Sequence, residues 1–387
     1  MLVIISLSIT GNALVLSTLC KKKSLQNKTA IFVANLAIAD LLNAVLCMPF
    51  IFISSIVGYW SFTDALCSFS GVMGILMGTT SLATLAAIAY ERYSAIVHPL
   101  QYHDTMTPSR IATLISFAWI QGWALAMCPI FGWSYYTYLV HEYICTVDWA
   151  FDASFTYTII TFAFGIPFCV MVYCYGRIFR VARRHSRRVA AIDFCTNSKS
   201  GLAKSMSFHP GTDQVCQWKN KKSINISLSA QKLKKEAKAA TMLMIVMGTF
   251  MACWIPHGCT MICMAVGDKC ILTIPESVYT ATTWLAMCAS FCNPLVYGLM
   301  NRQYREAFRS ICCSVCLCHK ACKSPHRKSS SESDDVSTET KGSAEDTPQP
   351  AQPPPPHFGF EDVDKSPQCQ VFVILRADKD DYKAFEI

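Results

Sequence analysis

Seven long apolar blocks constrain the fold of this chain more than any other feature of its sequence. A helix needs roughly 20 residues to cross a bilayer. Blocks near or above that length occupy residues 1–20, 29–53, 64–94, 111–131, 154–177, 237–266 and 274–300. Because backbone polar groups in hydrocarbon must be satisfied within their own segment, each block predicts a helix. The sequence therefore predicts an all-α membrane protein built as a seven-helix bundle.

The composition agrees with a membrane protein. Of the 387 residues, 52% are hydrophobic and 16% are charged, and the mean hydropathy is +0.30. Soluble domains carry about 25% charged residues. A soluble enzyme, a disulfide scaffold and a disordered regulator are thereby excluded.

The first block lacks the basic start and small-residue cleavage site of a signal peptide, so it is interpreted as an anchor helix. This interpretation leaves almost no outer segment before the first span. The outer N-terminus is then either naturally short or cut short by an incomplete gene model.

Basic residues predict the orientation. They concentrate in the loop after the first block and in the long loop 178–236, whereas the opposite loops have almost none apart from Lys269. Since basic loops stay in the cytoplasm, the N-terminus is predicted outside and the C-terminus inside the plasma membrane. The net charge of +8 is then an orientation signal and implies no nucleic acid.

The C-terminal part divides into two. Residues 301–310 predict a short amphipathic eighth helix on the inner leaflet, with Tyr304 and Phe308 on its buried face. Residues 311–387 are rich in Ser, Thr, acidic residues and Pro, which predicts a disordered regulatory tail. The receptor domain would therefore span residues 1–310.

Polar residues and prolines inside the blocks form several short motifs. Polar groups in a membrane are costly and are therefore functional candidates. The motifs are Gly11-Asn12, Asp40, Glu91-Arg92-Tyr93, Trp119, Pro167, Cys253-Trp254-Ile255-Pro256 and Asn293-Pro294-Leu295-Val296-Tyr297.

In this order, the motifs resemble those of the class A (rhodopsin-like) G-protein-coupled receptors. The resemblance covers about residues 1–310 and is to an orphan-type receptor. It implies roles in G-protein coupling and switching for Glu91, Arg92, Tyr93, Leu100, Tyr175, Glu236, Phe250, Trp254, Pro256, Asn293, Pro294 and Tyr297. Within this set, Arg92 would pair with Glu236 as a latch between the third and sixth spans. Breaking such a pair costs free energy that a ligand or partner must offset.

Two further features follow from the resemblance, and a third follows from the cysteines after the predicted eighth helix. Cys67 and Cys145 match the family's outer disulfide. Asp40, Ser81 and Ser290 resemble its allosteric sodium site, although intramembrane serines often only bond to the backbone. Palmitoylation is expected at Cys312, Cys313, Cys316 and Cys318. A metal cluster at these last cysteines is the alternative, but their spacing fits no common zinc pattern.

The pocket positions exclude two ligand classes. Gly74 stands where amine receptors of this family carry an aspartate, 18 residues before Arg92, and Met287 stands where opsins carry the retinal lysine. The other pocket positions are Gly78, Thr79, Ile159, Ala163, His257, Met261 and Thr283. A mostly apolar pocket with few polar groups suits a small neutral or lipid-like ligand. It suits equally a receptor that is active without a ligand.

The predicted function is signal transmission through heterotrimeric G proteins. Expected partners are receptor kinases and arrestin at Ser329–Thr340, and a PDZ domain at the end Ala384-Phe385-Glu386-Ile387. The alternatives are a non-signalling scaffold and a channel or transporter. The motif set argues against the scaffold, and the lack of internal repeats argues against the transporter. No motif supports an enzyme, and the only cofactor suggested is the sodium ion.

Overall fold

The structure is a computed structural model. It describes the backbone of residues 1–202, 213–267 and 274–315, and the side chains of residues 1–184, 238, 240–267 and 274–313. The predictions for Cys316, Cys318 and the remaining tail concern residues outside these ranges.

The described residues form eleven α-helices. They are α1 Leu2–Lys21, α2 Lys28–Leu46, α3 Met48–Val57, α4 Asp64–Val97, α5 Tyr102–Thr105, α6 Pro108–Met127, α7 Ala153–Ile159, α8 Ile166–Leu202, α9 Asp213–Val266, α10 Glu276–Met300 and α11 Arg302–Val315. Within the described residues, six segments are long and apolar enough to cross a membrane: Leu2–Lys21, Lys28–Val57, Asp64–Val97, Ala153–Arg184, Ala240–Val266 and Glu276–Met300. The 20-residue α6 completes the seven-helix arrangement by packing against the central α4.

Side-chain caps fix where three of the helices begin. Asn27 accepts a hydrogen bond from the Ala30 N–H at the start of α2. Thr63 and Thr107 cap α4 and α6 in the same way. Such caps satisfy backbone donors that lack a partner in the first helical turn.

Two spans are not continuous α-helices. The second block breaks at Cys47, where α2 ends and α3 begins with Pro49 in its first turn. The fifth contains a π-helical segment, Ile160–Gly165, just before Pro167. Proline lacks an N–H and π-turns insert an extra residue, so both features redirect a helix. Hydropathy alone shows neither break.

The region predicted as the long loop 178–236 is partly helical. Helix α8 continues to Leu202 and α9 starts at Asp213. The apolar blocks mark only the membrane-embedded part of a helix. Beyond the membrane, Arg, Lys and Ala still favour helix.

The second outer loop forms a β-hairpin. Strands β1 (Tyr136–Leu139) and β2 (Ile144–Val147) pair antiparallel, with Tyr138 opposite Cys145. A disulfide joins Cys145 to Cys67 near the start of α4, with a Cα–Cα distance of 5.1 Å. This bond ties the hairpin to the central helix of the bundle.

Candidate functional site

The inner end of α4 carries a buried ion pair between adjacent residues. Arg92 donates from Nε to Oε2 of Glu91 and from Nη2 to Oε1, both at 2.6 Å. Arg92 also donates to the Thr29 hydroxyl of α2, which donates to Glu91 Oε2 at 3.0 Å. The Tyr102 hydroxyl of α5 donates to the same carboxylate. The guanidinium is 8% exposed and Glu91 is fully buried, so removing either partner would leave a buried charge uncompensated.

The remaining predicted coupling residues lie in different surroundings. The Tyr93 hydroxyl is 3.1 Å from His98 Nε2, and its ring lies 5.8 Å from that of Tyr173. Leu100 projects into solvent with 95% of its surface exposed. The backbone of Glu236 lies in α9, but its side chain is outside the described residues, so its pairing with Arg92 stays a prediction.

A polar site surrounds Asp40 in the middle of the bundle. Asp40 is 3% exposed. It accepts hydrogen bonds from Ser81 Oγ at 3.1 Å and from Asn293 Nδ2 at 2.7 Å. A cavity of about 10 Å³ beside it is lined by Asn43 and Ser290 among others. The sequence grouped Asp40 with the two serines, whereas the structure also brings in Asn293 from the predicted switch.

A layer of aromatic rings lies above this cavity. Trp254 is 5.9 Å from Phe250, 5.5 Å from Phe164 and 5.9 Å from His257, measured between ring centroids. Trp254 and Phe250 also line the Asp40 cavity, so the ring layer connects the outer pocket with the polar site. Pro256 lies inside α9 two residues further on, where it interrupts the helical hydrogen bonds.

The inner part of the seventh span packs tightly. Tyr297 is buried at 2% exposure in one apolar cluster with Tyr175 and Phe250, and its ring is 5.4 Å from that of Tyr304. Pro294 lies so close to Gly11 that an added Cβ there would be 2.8 Å from its ring. Movement of this segment would therefore disturb the packing of α1 and α11.

The β-hairpin fills the outer part of the predicted ligand pocket. From strand β2, Val147 packs in one cluster with the predicted pocket residues Ile159, Ala163 and Met261. Ile144 packs in another with Met287. The hydroxyl of Thr79 donates back to the Ile75 and Leu76 carbonyls of its own helix. This pocket therefore has less open polar surface than the sequence suggested.

The structure adds Glu142, which sequence reasoning missed. This residue of the hairpin turn is fully buried, and its Oε2 accepts a hydrogen bond from Thr283 Oγ1 at 2.9 Å. Thr283 in turn is 3.4 Å from His257 Nδ1. The sequence offered one signal: an acidic residue three positions before the disulfide cysteine Cys145. Nothing in the pattern indicated that it points inward.

Helix α11 lies at the inner side of the bundle. Tyr304 and Ala307 are buried against it, while Arg302 pairs with Glu306 at 2.6 Å on the exposed face. Cys312 is exposed with a free thiol. Palmitoylation at Cys312 and Cys313 stays a prediction.

Comparisons with known proteins agree with this architecture. A family model for the 7 transmembrane receptor (rhodopsin family) matches residues 11–297. The chain is 30% identical to G-protein coupled receptor 161 of Danio rerio, covering 80% of this chain and 58% of that protein. It is 32% identical to octopamine receptor beta-2R of Drosophila melanogaster, covering 82% and 61%.

Two further matches extend the comparison. The chain is 31% identical to human 5-hydroxytryptamine receptor 4, covering 80% of this chain and 77% of that one. Squid rhodopsin has a similar fold, with a TM-score of 0.67 at 22% identity over 82% of this chain and 84% of that one. Against the first two relatives, the chain spans about three fifths of their length.

The matched region includes the motifs from Asn12 to Tyr297, and the helices bring those motifs together in a seven-helix membrane bundle with an outer disulfide. The chain therefore belongs to the rhodopsin family of seven-transmembrane receptors.

Proposed function

We propose that this receptor catalyses nucleotide exchange on a heterotrimeric G protein at its inner face. The observation that carries the proposal is the buried Glu91–Arg92 pair at the inner end of α4. In this state the Arg92 guanidinium donates to the Glu91 carboxylate and to the Thr29 hydroxyl, so these donors are occupied inside the bundle. When the pair with Glu91 opens, the Arg92 guanidinium can offer up to five N–H hydrogen-bond donors to a partner protein.

The mechanism requires two states of the bundle. In the described state, Thr29 and Tyr102 share the Glu91 carboxylate with Arg92 and hold α2, α4 and α5 together. Rearrangement around Trp254 and Pro256 would move the inner end of α9 and open a cavity for the G protein. Only interactions that differ between the two states shift their equilibrium.

The test is nucleotide exchange with the purified, membrane-reconstituted receptor and each class of purified heterotrimer. We expect at least one class to exchange faster in proportion to receptor dose. Empty membranes and heat-inactivated receptor are the controls. If every class exchanges at the control rate, with and without amines, the proposal is wrong.

The oxygen atoms around Asp40 fit a sodium ion. Asp40, Ser81 and Ser290 would hold it, and Asn293 Oδ1 is a buried acceptor without a hydrogen-bond partner among the described residues. Hard cations prefer such oxygen ligands. A bound ion would neutralise the Asp40 carboxylate and join α2, α4 and α10 in the state described.

Sodium is expected to stabilise the wild-type receptor and not the Asp40→Asn variant. An ion that binds only the folded state at 100 times its dissociation constant adds about 2.7 kcal/mol. The melting temperature of purified receptor is measured in NaCl and in N-methylglucamine chloride at equal ionic strength. Equal melting temperatures of the wild type in both salts would contradict the sodium site.

We also propose an orientation in the membrane, further protein partners and a lipid anchor. We place the N-terminus outside and the C-terminus inside the plasma membrane, on the basic loops. Receptor kinases and arrestin would act at the tail serines, a PDZ domain would bind the C-terminal residues, and a lipid on Cys312 would anchor α11. The exposed Cys312 thiol supports the last of these.

A further inference from the structure

The turn of the outer hairpin places a carboxylate inside the bundle. Tyr143 adopts a left-handed conformation with φ of 56°, which is uncommon for a residue other than glycine. The residue before it, Glu142, is fully buried, and Ile144 after it is 9% exposed. The tight turn therefore directs both side chains toward the helices and away from water.

Two contacts at the surface hold this turn against the seventh span. Thr280 of α10 donates to the His141 carbonyl. The His141 ring lies 3.3 Å from the Glu276 carboxylate, with both side chains more than half exposed. Exposed pairs of this kind contribute at most about 1 kcal/mol, so the His141–Glu276 pair adds little to what holds the turn in place.

The Glu142 carboxylate is only half satisfied. Oε2 accepts from Thr283, whereas Oε1 is buried with no hydrogen-bond partner among the residues that the structure describes. An unpaired buried carboxylate oxygen is costly. Burial raises the pKa of Glu142 to about 7, against the lowering effect of the Thr283 hydrogen bond. Within the part of the chain that the structure describes, the Glu142 carboxylate thus has no salt-bridge partner.

Helix α4 carries two glycines among the predicted pocket positions, Gly74 and Gly78. Gly78 and Gly74 are one turn apart and therefore share a helix face. A Cβ at Gly78 would lie 3.3 Å from the Trp254 ring, whereas a Cβ at Gly74 would meet nothing within 4 Å. Position 74 of α4 therefore has free space beside it, whereas Gly78 lies against the Trp254 ring.

We propose that Glu142, supplied by the second outer loop, is the anionic anchor for a small ammonium-bearing ligand whose body lies along α4 beside Gly74 and Gly78. The inference rests on the proposed receptor function and names its ligand class. The family's amine-binding aspartate is replaced by Gly74 in this chain, so the charge comes from the loop. This replaces the neutral or lipid-like ligand expected from the sequence.

The test measures binding to the purified receptor without any G protein. The probes are tyramine, octopamine and 5-hydroxytryptamine, and the neutral control is tyrosol, which has a hydroxyl in place of the tyramine amine. Binding is read as the rise in melting temperature with probe concentration. At least one amine is expected to bind and tyrosol is not.

Glu142→Gln is the decisive variant because it keeps an oxygen for Thr283 and removes only the charge. Its affinity for the amine is expected to fall about 100-fold, as for the loss of one partner of a buried charge pair. Adding Gly74→Asp to this variant is expected to restore binding, since the position has room. The ligand-free melting temperature of each variant shows that it is folded.

Binding should also depend on pH through Glu142. An alkylammonium, like that of lysine, stays protonated below pH 9, so the anchor must lose its proton for the pair to form. With a pKa of about 7, the affinity should rise about tenfold from pH 6 to pH 8. Nearby titratable side chains are His257, Tyr279, Glu276 and His141, and the response should persist in His257→Gln and His141→Gln but vanish in Glu142→Gln.

Three results would overturn the proposal: no amine stabilises the wild type, tyrosol binds as well as tyramine, or Glu142→Gln binds amines like the wild type. These results are independent of G-protein activation. Amine binding without nucleotide exchange would support the ligand site and contradict the signalling function. Nucleotide exchange without amine binding would support the signalling function and contradict the ligand site.

Discussion

Arg92→Ala is expected to lower receptor-catalysed nucleotide exchange by about tenfold or more, since hydrogen bonds to a charged group contribute about 1.5–3 kcal/mol each. The side chain would be missing from the face that meets the G protein. It would also leave the buried Glu91 carboxylate with only Thr29 and Tyr102 as donors. Exchange is measured at equal amounts of folded, reconstituted receptor.

Glu91→Gln is the matched variant, and its expected effect is the opposite. It weakens the buried pair while keeping the shape of the side chain, so Arg92 is released more easily and exchange without ligand should rise. A decrease of the same size in both variants would mean that the pair only supports the fold. The switch role of Arg92 would then be wrong.

Cys145→Ala is expected to reduce the thermal stability of the receptor and its delivery to the cell surface. The disulfide to Cys67 closes a loop of 78 residues, for which the chain-entropy account gives at most about 4.5 kcal/mol. Without the bond, the hairpin loses its covalent tie to α4, and the burial of Glu142 and Ile144 weakens. The melting temperature of purified receptor and surface staining of intact cells measure the two effects.

The controls for the disulfide compare the two single cysteine variants with the double variant. Cys67→Ala and the double variant should resemble Cys145→Ala, because removing either sulfur already breaks the bond. Cys169→Ala changes an exposed free cysteine and should have little effect. If the double variant is much less stable than either single one, the two cysteines contribute separately and the bond is not the cause.

The sequence predicted the seven-helix membrane fold well, and the family match confirms it. Hydropathy and helix length are local properties, so a run of apolar residues identifies a span without knowledge of its neighbours. The motif residues could also be found locally, because a charge inside an apolar block is conspicuous. Asp40 and Arg92 are such cases.

Not all partners of those residues could be found in this way. For Asp40 the sequence named Ser81 but not Asn293, and for Arg92 it named neither Glu91 nor Thr29. The pairing of Arg92 with Glu236 stays a prediction. Apart from the Glu91–Arg92 pair within α4, these contacts join helices far apart in the chain. They depend on how each helix is rotated and how far it slides along its neighbours, which no local pattern encodes.

The sequence by itself determined the class of protein, the number of spans and the list of polar residues that cost free energy to bury. Only the tertiary structure decided what occupies the outer pocket. Glu142 looks like an ordinary loop acid in the sequence. It is buried because the disulfide, the left-handed Tyr143 and the contacts of α10 fold the hairpin inward. A side chain's burial depends on the elements that cover it, and those elements meet only in three dimensions.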